Sequence, residues 1–289
     1  MEIDSQRIKN YLSTEFIGSE IYLYDKVGST NDIAKGLAVN GCKEGAVVIA
    51  DSQSKGRGRL GRKWESPAGV GIYLSIILKP ERVIPQLTLV AGVSVAEAIN
   101  RIADCRLQIA DFKNPKSEIR NPKLVCVSLK WPNDILINGK KAGGILTEAI
   151  SRGKIVIVGI GINVNNPTSS PLLQGGEWGG EGFPDELKDK ATSIMIETGN
   201  RTDRNLLTAE LLNKFEYWYR RFVKGGVHVI KIIKRWKELS DTLGHRKVKV
   251  NLGDKVFDGV ALDLENDGSL LIQLNDGSLK KISAGEVCY

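Results

Sequence analysis

The chain has 289 residues, 42% hydrophobic and 26% charged, an ordinary globular balance with room for one large domain and a small one. With 41 basic and 34 acidic side chains, its net charge is +7 and its pI near 9.1, which suits an acidic partner or anionic substrate, nucleic acid being one candidate, although so modest an excess is more often plain surface solvation. Cys42, Cys105, Cys126 and Cys288 form no CxxC pair, the N-terminus is charged and no apolar run has the length of a membrane span. Disulfide, metal, secretory and membrane classes are therefore not expected, and a cytoplasmic protein is.

Residues 3–14 have weak helical periodicity, and Ile21–Tyr24 predicts a short strand. Ser29 reads as the N-cap of a helix over Asn31–Val39 that Gly41 ends. Gly45–Ala50 predicts a buried strand leading into Gln53 and a Gly/Arg loop, and Ile72–Leu78 predicts another. The strongest helical pattern runs over Gln86–Ile102, with Leu87, Val90, Ala91, Val95, Ala98 and Ile102 in phase. Asp111–Lys123 is polar, contains Pro115 and Pro122, and predicts a surface insertion. Cys126–Leu129 and Asp134–Ile137 predict strands flanking Trp131-Pro132, and Gly144–Ile150 and Ile155–Val164 predict a pair about the Arg152-Gly153 turn. Pro167–Asp185 predicts a long loop rich in glycine and proline, with helices following over Asn205–Val223 and Val229–Leu239. Beyond Gly244 come short strands at Lys247–Asn251, Lys255–Asp263, Ser269–Leu274 and Leu279–Ile282. They are punctuated by Gly253-Asp254, Asn266-Asp267-Gly268 and Asn275-Asp276-Gly277, the pattern of a small β-barrel. The expected class is α+β, divided into residues 1–242 and an all-β unit at 243–289.

Three stretches carry chemistry. Residues 56–71 hold five glycines and four cations, Arg57, Arg59, Arg62 and Lys63, together with Trp64. Glycine lets backbone approach a ligand, and arginine offers a planar fork to phosphate or carboxylate. A lone RGR tripeptide reads first as a solvated basic loop; the cluster with Trp64 and further glycines shifts the reading to an anion clamp. Gly56-x-Gly58-x-x-Gly61 matches GxGxxG, but Lys63-Trp64-Glu65-Ser66-Pro67 breaks the helix that a dinucleotide fingerprint needs, and no HRD-type segment supports a kinase. Lys130-Trp131-Pro132-Asn133-Asp134 precedes Lys141 by seven residues. Asp134 with Lys141 would serve as an acid/base and charge-neutralising pair, or each would be an ordinary turn cap and surface lysine. Gly159-Ile160-Gly161-Ile162-Asn163 ends a strand; the glycines admit a close neighbour, and Asn163 suits either an adenine edge or a bulge cap. His228 and His245 have no sequence partner for a metal or a nucleophile, and Trp178 is either a lid contact or a loop anchor. Walker A, HExxH and GxSxG motifs are absent.

In joint order and spacing, Gly28-Ser29-Thr30-Asn31, Gln53, the Gly56–Trp64 loop, Lys130–Asp134, Lys141-Ala-Gly-Gly-Ile-Leu146 and Gly159–Asn163 resemble the biotin–protein ligases. The resemblance covers about residues 22–165, with a tail similar to the family's SH3-like domain. It implies a catalytic domain like that of class II aminoacyl-tRNA synthetases and the biotin–lipoate ligases, with a mixed sheet and flanking helices. It implies activation of biotin with ATP and Mg²⁺ to biotinyl-5′-AMP, then transfer to a lysine of a biotin carboxyl carrier domain. Ser29, Thr30, Asn31, Gln53 and Gly159 would line the biotin head group. Arg57, Gly58 and Arg59 would hold the biotin carboxylate and the adenylate phosphate, with Arg62, Lys63, Lys130 and Asn133 on the nucleotide side. Trp64 and Asn163 would meet adenine, Lys141 the carboxylate and phosphate, and Asp134 the incoming amine. No fixed metal site is implied.

Some members carry an N-terminal helix-turn-helix. The 28 residues before Ser29 are too few for one, so a monofunctional ligase without specific DNA binding is expected. Members can also dimerise through the sheet, which leaves a homodimer open. The nearest rival is a lipoate–protein ligase, against which the Lys130–Asp134 string and the RGR loop weigh. A rival of another class is a basic nucleic-acid-binding protein.

Overall fold

The computed structural model describes residues 2–81, 86–113, 125–167, 183, 185–187, 189–243 and 247–289, with backbone only at 104–113 and 185. Residues 114–124 and 168–182, which carry most of the two expected inserts together with Trp178, lie outside the described residues, as do His245 and the Cys105 side chain.

Seven strands form one sheet: β1 (Ile21–Val27), β2 (Val47–Gln53), β3 (Gly71–Leu78), β4 (Val127–Lys130), β5 (Asp134–Ile137), β6 (Lys140–Ile150) and β7 (Ile155–Asn163). Their order is β1-β2-β3-β7-β6-β5-β4. The sheet is mixed: β1 and β2 run parallel, joined through helix α2 (Thr30–Val39), and every other pair is antiparallel. The remaining helices are α1 (Ser5–Tyr11), α3 (Leu87–Lys113), α4 (Ile194–Thr198), α5 (Arg204–Lys224) and α6 (Val227–Glu238).

The period-2 alternation of strands divides the burial between two faces. Val47, Ile49, Ile72, Leu74, Ile76, Val158, Ile160 and Ile162 join the main core with residues of α3, α5 and α6. On the opposite face Val48, Ile77 and Ile157 pack under Ala34 and Ala38 of α2. Farther along that second face the strands change character. Ser75 pairs with Gly159, Tyr73 with Gly161, and Gly161 with Gly144. Apart from the buried Tyr73 ring, apolar bulk gives way to glycine and Ser75, so this end of the face is a floor beneath the first turn of α2 and the Gly/Arg loop.

The all-β unit comprises β8 (Lys247–Leu252), β9 (Lys255–Leu264), β10 (Leu270–Leu274), β11 (Leu279–Ile282) and β12 (Glu286–Cys288), antiparallel in the order β11-β10-β9-β8-β12. Val248, Val250, Ala261, Leu270 and Ile272 belong to the same contiguous core as the larger sheet. Trp131, 2% exposed, is one fastening: its indole donates to Gly268 O at 3.1 Å and its backbone N–H to Thr242 Oγ1 at 2.9 Å. The peptide bond from Trp131 to Pro132 is cis. Among the described residues no helix is long and apolar enough to cross a membrane.

Several boundaries differ from expectation. Helix α3 runs on to Lys113, past the predicted end at Ile102 and into the stretch read as an insertion. Strand β6 begins at Lys140, not Gly144. Ser29 does occupy the N-cap of α2, but its side chain makes no capping bond. The short helix α4 and strand β12 were not foreseen, although Ser193 caps α4 through Ile196 N–H at 3.2 Å and Gly199 ends it at φ 74°.

Candidate active site

The glycine floor exists because another group occupies the space above it. A methyl at Gly161 would stand 2.5 Å from Trp64 Nε1, and one at Gly159 would stand 2.2 Å from Asn31 Oδ1. Only glycine lets the Trp64 ring and the Asn31 amide lie that close to the strands. The Gly/Arg loop brings Trp64 there. Its base is fastened by Trp64 N–H to Gly56 O at 3.0 Å and by Gly58 N–H to Arg62 O at 2.7 Å, with a single 3-10 turn at Arg59–Gly61 between. No α-helix opens at this loop, in accord with rejection of the dinucleotide reading.

Lys141 and Asp134 meet, Nζ to Oδ1, at 2.6 Å. The ladder between β5 and β6 shifts register between Ile135 and Leu136, so that Leu136 pairs with Lys141 while Asp134 pairs with Gly144. This bulge reverses the parity of β6 and turns Lys141 onto the face of Asp134 and Gly144. The Lys141 amine lies 5.7 Å from the Trp64 ring centroid. Residues 190–192 run alongside: Lys141 N–H donates to Lys190 O and Thr192 N–H to Lys141 O, both at 2.9 Å. Asn163 Nδ2 donates to Thr192 O at 3.1 Å. Lys141, Asp134, Trp64, Gly144, Gly161 and Asn163 thus form one neighbourhood.

The second neighbourhood is built on the start of α2. Gln53 Oε1 accepts the Thr30 backbone N–H at 2.9 Å and lies 3.2 Å from the Thr30 hydroxyl, while its Nε2 donates to Ser66 Oγ at 2.9 Å. Asn31 Nδ2 donates to Glu148 at 2.7 Å and to Leu146 O at 3.3 Å. Ser75 Oγ lies between Asn31 Oδ1 at 2.6 Å and Thr30 Oγ1 at 2.8 Å. Ser29, Thr30 and Asn31 are all buried.

The loop cations take separate partners. Arg57 forms a bidentate pair with Asp32 of α2 at 2.6 and 2.7 Å, which lowers the Asp32 pKa and raises that of Arg57. Arg59 Nη1 donates to Gly285 O at 3.0 Å and to Asn133 Oδ1 at 3.3 Å. Burial pulls the Arg59 pKa below its ordinary value, with Asp134 and Glu286 acting against it. Arg62 forms a bidentate pair with Glu286 of β12, which raises the Arg62 pKa and lowers that of Glu286 despite partial burial. Lys63 pairs with neighbouring Glu65 on the surface, and the Lys130 amine sits 4.6 Å from the Tyr289 ring centroid. Arg59 and Asn133 therefore sit together near Asp134; Arg57, Lys63 and Lys130 are drawn to other partners.

Sequence reasoning missed Ser75, Glu148, Asp32, Glu286 and residues 190–192. Ser75 interrupts an apolar strand, a signal that was present; the others become visible only through long-range pairing. Among the described residues no three His, Cys, Asp or Glu side chains gather where they could hold a metal ion. The site combines a glycine floor, a polar cradle at α2 and several cations on a Gly-rich loop, an arrangement able to take a small polar head group beside an anion.

The model of the Biotin/lipoate A/B protein ligase family matches residues 24–165, and that of the Biotin protein ligase C terminal domain matches residues 245–288. The chain is similar to the Bifunctional ligase/repressor BirA of Bacillus subtilis, 36% identical over 99% of this chain and 79% of the relative. It is also similar to the Biotin--[acetyl-CoA-carboxylase] ligase of Mycobacterium tuberculosis, 29% identical over 91% of this chain and 86% of the relative. Among solved structures it is similar to the biotin protein ligase of Aquifex aeolicus in complex with biotin and ATP, at TM-score 0.72 and 31% identity, over 93% of this chain and 98% of that one. The Leishmania major biotin protein ligase in complex with biotinyl-5-AMP matches at TM-score 0.53 and 25% identity, over 92% and 99%. The chain belongs to the biotin protein ligase family.

Proposed function

We infer that the chain is a biotin–[acetyl-CoA-carboxylase] ligase: it activates biotin with ATP to biotinyl-5′-AMP and transfers the biotinyl group to the biotin carrier of the carboxylase. The observation that carries the chemistry is the Lys141–Asp134 pair at 2.6 Å, set beside Trp64 and the glycine floor.

In the first half-reaction a biotin carboxylate oxygen attacks the α-phosphorus of ATP, the bond to the β-phosphate oxygen breaks and pyrophosphate leaves. Both reactants are anions, so positive charge at the site lowers their repulsion. We assign Lys141 and Arg59 to this task; removing such a preorganised contact costs about 10²–10³ in rate. Arg57 and Gly58 would complete the clamp, with Arg57 exchanging Asp32 for a ligand oxygen. Mg²⁺ would enter with the nucleotide as MgATP and offset phosphate charge. We place the biotin head group against Ser29 and Thr30, with Gly159 beneath the Asn31 amide beside them. Asn31 and Gln53, whose amides are engaged within the protein, shape that cradle. Trp64, Gly161 and Asn163 are assigned to adenine, and Arg62, Lys63, Lys130 and Asn133 to the outer nucleotide side.

In the second half-reaction a neutral lysine amine of the carrier attacks the anhydride carbonyl and AMP leaves. Asp134 would orient that amine or take its proton. Water would compete for the anhydride, and closure of the 56–64 loop excludes it. We propose a division at residues 1–242 and 243–289, the second unit contributing Gly285 and Glu286 to the loop's support. ATP–pyrophosphate exchange tests the reading: biotin is expected to support exchange and lipoate not, and exchange with lipoate alone would overturn it.

A further inference from the structure

The buried polar chain beneath α2 has a direction, and Glu148 fixes it. A carboxylate only accepts hydrogen bonds, so its 2.7 Å contact must receive the Asn31 NH₂, a second proton of which goes to Leu146 O. The Asn31 amide therefore cannot flip, and Oδ1 faces Ser75. Two oxygens 2.6 Å apart need a proton between them, and an amide oxygen has none to give, so the Ser75 proton is committed to Asn31. The 2.8 Å contact between Ser75 and Thr30 then requires the Thr30 proton. That commitment leaves the longer 3.2 Å approach to Gln53 Oε1 without it; Gln53 Oε1 is already satisfied by the Thr30 backbone N–H.

The outcome is a Thr30 oxygen whose proton points into the protein and whose lone pairs are left to accept. We propose that Glu148, acting through Asn31 and Ser75, sets Thr30 as a hydrogen-bond acceptor in the ligand cradle and so selects a head group that offers an N–H there, as the cyclic urea of biotin does. Glu148 and Ser75 are positioning residues; neither needs to touch the ligand. The inference rests on the assignment of the Thr30 cradle to the biotin head group.

Glu148 suits the part. It stands on β6 opposite Ile157, and its other oxygen takes the Lys35 amine at 2.6 Å. Lys35 occupies one carboxylate oxygen and leaves the second for Asn31. Chains of hydrogen bonds polarise one another, so an error at one end is felt at the other.

The test uses steady-state pyrophosphate exchange on the full chain with Glu148→Gln, Ser75→Ala, their combination and Thr30→Val. Glutamine keeps the shape of Glu148 but can present either end of an amide, so Asn31 is free to flip. Glu148→Gln and Ser75→Ala are each expected to raise the KM for biotin about tenfold, the effect of losing one hydrogen bond. The KM for MgATP, kcat and the melting temperature stay near those of the parent. Because both changes break one chain, the double variant is expected to be no worse than the poorer single. Additive effects, or a rise in both KM values together, would show a structural role only and overturn the proposal. If Thr30→Val raises the biotin KM while Glu148→Gln and Ser75→Ala leave it alone, the polarity proposal fails and the cradle stands. If Thr30→Val has no effect either, the cradle assignment fails and the proposal with it.

Discussion

Substitution of Gly161 by alanine is expected to weaken nucleotide binding selectively. The added methyl would stand 2.5 Å from Trp64 Nε1 and 2.7 Å from Cε2. Non-bonded heavy atoms settle near 3.5–4.0 Å, so the ring must retreat by roughly 1 Å. Its loop resists, being tied by Trp64 N–H to Gly56 O and by Arg62 to Glu286. Overpacking costs about 1–3 kcal/mol, and a half-buried ring on a loop belongs at the lower end. If about 1–1.5 kcal/mol falls on nucleotide binding, the KM for MgATP rises about 5- to 12-fold. Pyrophosphate exchange measured against MgATP and against biotin separates the two sites, since the Thr30 cradle is built from other residues. A raised biotin KM with an unchanged MgATP KM would refute the placement of adenine beside Trp64.

Three further outcomes follow from the same geometry. Lys141→Ala is expected to cut exchange by about 10²-fold or more, read as initial rate; near-parent exchange would remove Lys141 from the mechanism. Arg59→Ala is expected to release biotinyl-AMP into solution, measured by chromatography of the filtrate; retention equal to the parent would argue against a clamp at that residue. Glu286 has its pKa lowered chiefly by the Arg62 hydrogen bond, so its contribution to stability is present above its ordinary pKa of 4.5 and is lost as pH falls through the lower folded value. The difference in melting temperature between the parent and Glu286→Gln should accordingly be constant near neutrality and shrink in acid; a difference that grows in acid would contradict the pair.

The candidate site was legible where it is carried by short strings. The Gly56–Trp64 loop, the Asp134 and Lys141 strings and the Gly159–Asn163 strand end name parts that the fold brings together, because each string is short and lies on a single loop or strand. What the sequence hid is parity and long-range partnership. A seven-residue gap does not reveal that the β5–β6 register shift turns Lys141 toward Asp134. Glu286 reaches Arg62 across 224 residues, and Glu148 reaches Asn31 across 117, with no local pattern to announce either. The secondary structure failed in the same physical way. Strand β12 is three residues long and exists by pairing with β8, while β6 starts early because β5 and Lys190 supply partners that local propensity does not see. By contrast, Ser193 and Gly199 are ordinary cap signals around α4, and their omission was a failure to read two residues that were present.

The central claim is tested most directly by incubating the chain with biotin, MgATP and a biotin carrier domain and measuring the intact mass of the carrier. One biotinyl group is expected at a single carrier lysine, dependent on ATP and lost with Lys141→Ala. An unmodified carrier beside active pyrophosphate exchange with lipoate, or salt-sensitive binding to nucleic acid with no adenylate formed, would contradict it.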